Sequence, residues 1–133
     1  MITEDYVSFE TAKLLKEKGF NDKCRALYTS WFDEVEGPNE DRAENWNVEP
    51  KYFSAPTLQM AMRWLREVHK IGVFPTTFYH HTAIFDGHNY GCTLVNLETF
   101  DVIGNFEDCT FPADTYEESC EKAIKYCLKK LLK

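Results

Sequence analysis

The sequence predicts an α+β fold: one antiparallel sheet of about four to five strands, with helices over about 9–18, 57–70 and 116–132 packed on it. Three observations carry this. The run from Pro56 to Lys70 repeats apolar residues at helical spacing, namely Leu58, Ala61, Met62, Leu65 and Val68, with Trp64 widening the stripe. A stripe that wide suits a helix laid across a sheet, with one side in water. Stretches on both sides of it alternate with the period of strands, at 24–35, 73–85 and 90–97. The 133 residues have the size of one domain, and a single α+β domain over 1–133 is expected.

The elements follow in order. Ser8 is placed to cap a first helix, and Gly19 to end it in the left-handed conformation with Phe20 folding back on Leu15. Cys24 to Val35 is rich in Tyr, Trp, Leu and Phe, as strands are. Gly37-Pro38-Asn39 is turn chemistry. A structureless run from Asp33 to Pro50 would be long for a compact domain, so a returning strand is expected over 43–48, with Trp46 and Val48 on one face. Gly72 is expected to end the central helix. Asp86-Gly87-His88-Asn89 signals a hairpin turn between the next two strands, and a short strand is expected over 102–106. Thr115-Tyr116-Glu117-Glu118 is a capping box that opens the last helix. Its stripe includes Cys120, Ala123, Ile124, Cys127 and Leu131, and its early acids Glu117, Glu118 and Glu121 are expected in solvent.

Composition narrows the function classes. The net charge is −7, which disfavours direct nucleic-acid binding and anionic membrane surfaces and favours a basic protein partner. A homodimer is compatible with the same composition. No apolar run is long enough to span a bilayer. Met1-Ile2-Thr3-Glu4-Asp5 is unlike a secretion signal, and five irregularly spaced cysteines suit reduced thiols, so a cytoplasmic location is expected.

Two constellations compete for chemistry. The first is the acidic segment between Asp33 and Glu49, in which Glu34, Glu36, Glu40, Asp41 and Glu44 stand near Trp46, with Trp31 and Phe32 close by in sequence. Carboxylates of this density attract a basic surface, and neighbouring aromatics supply affinity as anchors. The second is a His/Cys cluster on the later hairpin: His80, His81, His88 and Cys92. It offers a small enzyme a thiol and a base. It does not have metal-ligand spacing, since His80 and His81 are adjacent and point to opposite faces of a strand and no CxxC occurs. No cofactor motif is present. His69, at the end of the central helix, is expected half-buried, where a cationic form is favoured by the helix C-terminus. The acidic segment is the expected partner surface, no metal or cofactor is expected, and catalysis is the alternative reading.

Three segments also carry a resemblance: Tyr6 to Phe20, Ala55 to Glu67 and Thr115 to Leu128. In that order they resemble a group of short proteins encoded by prophages and mobile elements of Bacteroides-type gut bacteria. The resemblance covers most of the chain and implies a shared fold and genomic setting, with no activity or site to carry over. The C-terminal third is similar to the antitoxin domains of the HicB type, through a capped helix that follows strands.

Overall fold

The computed structural model describes residues 3–77, 88–104 and 111–132. Ser8 opens α1 (Phe9–Glu17) by accepting the Thr11 N–H on its hydroxyl. The helix closes as its sequence dictates. Gly19 takes φ 91°, the Gly19 N–H bonds the Lys16 carbonyl, and the Phe20 N–H reaches the Leu15 carbonyl at 2.9 Å.

The chain then runs through β1 (Cys24–Trp31) into β2 (Glu34–Glu44), paired antiparallel with two irregularities of register. Gly37 permits the close approach of these strands, because a Cβ there would stand 2.7 Å from the Leu27 carbonyl oxygen. The returning strand expected over 43–48 therefore starts at Glu34 and stops at Glu44. Trp46–Val48 form a single 3-10 turn instead, capped by the Asn45 carboxamide, which accepts the Asn47 N–H at 3.1 Å. A three-residue strand, β3 (Tyr52–Ser54), then pairs with the other edge of β1.

Helix α2 (Leu58–Val68) is capped by Thr57, whose hydroxyl accepts the Met60 N–H. It stops earlier than expected. Lys70 adopts φ 57°, and Gly72 lies inside the next strand, where a Cβ would meet the Phe74 ring at 2.5 Å. Val68, expected on the buried stripe, is 58% exposed. Strands β4 (Ile71–Thr77), β5 (Tyr90–Asn96) and β6 (Asp101–Val102) follow. The strands expected over 73–85 and 102–106 extend outside the described residues. Pro75 sits in β4, an edge strand, where its missing N–H is tolerated. Thr115 caps α3 (Tyr116–Tyr126) by accepting the Glu118 N–H, and the helix loosens into a π turn, Cys127–Leu131.

The fold is α+β, but the strands do not form the single sheet of four to five that the alternation suggested. They form two antiparallel sheets of three, ordered β2-β1-β3 and β4-β5-β6. β1 is paired on both edges by its own sequence neighbours and has no edge left for β4. β3 is short and leads through Ala55 and Pro56 straight into α2.

One apolar core joins the layers. Leu15 from α1 and Phe20 just beyond its end, Ala26 and Tyr28 from β1, Met62, Trp64 and Leu65 from α2, Leu94 from β5 and Ile124 from α3 all belong to it. Of the expected inward residues, Leu58, Ala61, Ala123 and Cys127 are buried and Leu131 is half-buried. Glu121, expected in solvent, instead ties α3 to the start of α1. Its carboxylate accepts the Ser8 N–H at 3.0 Å and the Thr11 hydroxyl at 2.5 Å, and also the Ser8 hydroxyl. A carboxylate at a helix N-terminus satisfies donors the helix cannot pair itself. Lys125 and Lys129 add exposed ion pairs to Glu10 across the same seam, and their hydrogen bonds hold its carboxyl down at about 2.

Candidate partner-binding surface

The first hairpin turns through two residues, Phe32 and Asp33. Phe32 takes φ 57° at the first turn position, where Gly is the usual occupant. A bulky residue held there is conformationally costly. Its ring is nevertheless 98% exposed, beside the half-exposed Trp31 (51%) and Val35 (45%). Large apolar side chains gathered at an exposed tip, one of them in a strained conformation, match a contact surface better than a folding requirement.

Trp31 also lines a groove of about 610 Å³ that runs past Arg42 and Glu44 at the end of β2, the 3-10 turn with Trp46 and Val48, and Tyr52 of β3. Its aromatic wall is fixed from behind. The Trp46 indole N–H donates to the Cys24 carbonyl at 2.9 Å, and its backbone N–H donates to the Ser54 hydroxyl at 3.1 Å. Its ring meets Tyr52 edge to face, with centroids 6.1 Å apart at 70°. Val48 projects from the same turn and is 72% exposed.

The acids expected at a partner surface lie along β2, which is exposed over nearly its whole length. Glu34 stands opposite Trp31, and Glu36 opposite Thr29. The others have local partners. Glu40 accepts the Tyr6 hydroxyl at 2.6 Å, a bond that raises the Tyr6 pKa. Asp41 accepts the Arg42 N–H, and Glu44 pairs with the Arg42 guanidinium at 2.9 Å. β2 is also an edge strand, and charge with a proline along an unpaired edge protects it from strand addition. The acids of mid β2 thus lie along an exposed sheet edge, while Glu34 and Glu36 flank the aromatic tip. Trp46 joins Trp31 and Tyr52 at one groove, through the 3-10 turn and not through a shared strand. Sequence pattern alone does not bring in Tyr52, because its strand has only three residues. The one available signal for Phe32 is a large apolar residue directly before Asp33 at a strand end.

The His/Cys hairpin does not assemble as one site among the described residues. His80 and His81 lie outside them. His88 pairs through Nδ1 with the Asp114 carboxylate at 2.6 Å. Cys92 is buried beneath α3, its sulfur 3.3 Å from the Ser119 hydroxyl, which donates on to the Phe111 carbonyl. Cys120 is buried beside it and is hydrogen-bonded to Cys92. That bond lowers the Cys92 pKa, while the same bond and burial push the Cys120 thiol up. Gln59 and Tyr116 extend this polar seam toward the surface, with the Gln59 amide donating to the Tyr116 hydroxyl at 2.8 Å. A buried thiol with its partner supplied by a helix is a packing group. Among the described residues no three His, Cys, Asp or Glu side chains gather as a metal site.

His69 differs from expectation. Its ring packs against Trp64 with centroids 4.6 Å apart, its Nε2 is buried without a hydrogen-bond partner among the described residues, and burial lowers its pKa. The neutral ring is therefore favoured, against the helix-end effect. Among the described residues no helix is long and apolar enough to cross a membrane. Comparison with family profiles, with curated proteins and with solved structures returned no match.

Proposed function

We propose that the chain is a small, acidic protein-interaction module without catalysis of its own, and that its partner-facing surface is the tip of the first hairpin together with the aromatic groove behind it. The observation that carries this reading is Phe32: fully exposed, in a left-handed turn position, next to Trp31 at the mouth of a groove walled by Trp46 and Tyr52. Exposed aromatics ringed by charge have the anatomy of an interface core with a polar rim. The partner is a basic protein. Between Trp31 and Tyr52 the chain carries seven carboxylates against Arg42 and Lys51, a net charge of −5 out of −7. That field accelerates encounter with a positive surface and repels nucleic acid.

Burial of Cys92 supports this reading over a thiol enzyme, because a nucleophile needs access to its substrate. The resemblance of the helical segments supports an origin in a phage or mobile element of Bacteroides-type bacteria, and the buried thiols suit the reducing cytoplasm. The test is capture from lysate of such a host on the immobilised wild-type protein and on the double variant W31A/F32S, followed by titration of each purified captured protein. A specific partner should be recovered with the wild type and weakened at least about tenfold by the double variant, as for loss of interface anchors. Equal binding to both proteins would move the partner surface elsewhere.

A further inference from the structure

We propose that the groove behind the hairpin tip receives the cationic head of a lysine or arginine side chain of the partner, held against the faces of Trp31, Trp46 and Tyr52. This rests on the interaction reading above and gives it a ligand chemistry. Three observations lead to it. First, Trp46 and Tyr52 meet at 70° with centroids 6.1 Å apart, which forms a corner of two aromatic walls, and Trp31 lines the same cavity. Aromatic corners of this kind hold ammonium and guanidinium groups through the negative faces of the rings. Second, the walls are preorganised. The Trp46 indole is fixed by its bond to the Cys24 carbonyl, so little side-chain freedom remains to be lost on binding. Third, the surrounding charge is complementary. The groove's own lining is neutral, with Arg42 and Lys51 against Glu44 and Glu49, and Arg42 is already paired with Glu44 at 2.9 Å. The net −5 of the segment from Trp31 to Tyr52 comes from the hairpin acids Asp33, Glu34, Glu36, Glu40 and Asp41, of which Glu34 stands directly opposite Trp31. The same sheet already makes such a contact within the chain, with the Lys16 ammonium 4.5 Å above the Phe53 ring.

The cavity volume of about 610 Å³ exceeds the needs of one side-chain head, so neighbouring backbone of the partner enters with it. An arginine or lysine flanked by small residues fits that requirement. The tip residues Phe32 and Val35 then meet apolar groups further along the partner.

The experiment is an NMR titration that follows the three indole N–H signals of Trp31, Trp46 and Trp64. Trp64 is buried in the core and serves as an internal control. The probes are the peptide acetyl-Gly-Arg-Gly-amide, the same peptide with citrulline in place of arginine, the lysine peptide, and choline. Citrulline keeps the shape of arginine and removes its charge. The expected result is movement of the Trp31 and Trp46 signals with the arginine or lysine peptide, binding roughly tenfold weaker with citrulline, and a still Trp64 signal. Trp31→Ala should abolish the Trp46 response. Tyr52→Leu provides a second, independent wall deletion, and the arginine-citrulline comparison on the wild type needs no variant at all. Equal binding of arginine and citrulline peptides overturns the proposal, and so does choline binding more tightly than either cationic peptide. If W31A/F32S loses the captured partner while arginine and citrulline bind alike, the interaction surface stands and the cation is removed from it.

Discussion

β2 and β5 are both antiparallel strands, and their surroundings are opposite. β5 is paired on both edges and covered by α3, so Cys92 and Leu94 are buried and its polar atoms find partners in the helix above. β2 pairs on one edge only and is exposed along nearly its whole length. Chemistry of equal interest in sequence therefore has different meaning in the two places. A thiol on β5 is a packing group, whereas an aromatic at the start of the first hairpin is available to a partner. Burial, more than residue type, separates Cys92 from the aromatics of the first hairpin.

The largest effect tests that contrast directly. Leu94→Ala removes a fully buried side chain from β5 and should destabilise the protein by about 2–5 kcal/mol. Val35→Ala, on the exposed hairpin, should change stability by less than about 0.5 kcal/mol. Urea denaturation of both variants, read by fluorescence of the buried Trp64, measures the pair. Similar losses for the two would mean that the first hairpin is part of the core and not a free surface.

A smaller effect belongs to the seam between the first and last helices. Glu121→Ala leaves the Ser8 N–H and two hydroxyls without their acceptor and should cost about 1–3 kcal/mol. Glu117→Ala, one turn earlier and exposed, should cost a few tenths at most. Thermal unfolding of the two variants would separate an interhelical cap from a solvated acid, and equal melting temperatures would remove the cap.

These cases show what was legible in the sequence. Ser8 and Thr115 were, because a cap and the N–H it binds lie three residues apart. The Gly19 ending was legible for the same reason. Two separate sheets were not, since strand pairing is decided between segments distant in sequence and alternation reports only a face. Glu121 was not, because its partner Ser8 is 113 residues away. Trp46 was expected on a strand and lies in a 3-10 turn instead, because the Asn45 cap prevailed over the strand pattern. Val68 fell on the helical stripe, yet the helix ends there and its side chain stays exposed among the described residues.

The next effect is a pH dependence. Burial lowers the His69 pKa, so the unfolded chain takes up its proton more readily than the folded one. Stability is then full above the unfolded value near ~6.5 and falls as pH drops below it. The loss should be modest, since the ring is only partly buried. His69→Gln should flatten this part of the stability profile between pH 7 and pH 5. A His69 signal that titrates above the value of a model peptide would show instead that the helix end dominates burial.

The smallest expected effect on stability concerns the two acids that flank the aromatic tip. Glu34 and Glu36 have no ion-pair partner among the described residues, whereas Glu40 holds the Tyr6 hydroxyl and Glu44 holds Arg42. Exposed carboxylates of this kind add little to folding. E34Q/E36Q should therefore melt within about 1 °C of the wild type, consistent with a stability change of a few tenths of a kcal/mol. Its effect should fall on association. With a basic partner in hand, the double variant should bind with a slower on-rate and a weaker dependence on salt, while dissociation stays close to wild type. W31A/F32S should do the reverse, with faster dissociation and a nearly unchanged salt slope, since those side chains supply buried contact and no charge. Measuring both variants by stopped flow at low and high ionic strength divides the surface into a steering rim and an anchoring core. If neutralising Glu34 and Glu36 leaves the on-rate and its salt dependence untouched, the carboxylates of β2 serve only to protect a sheet edge.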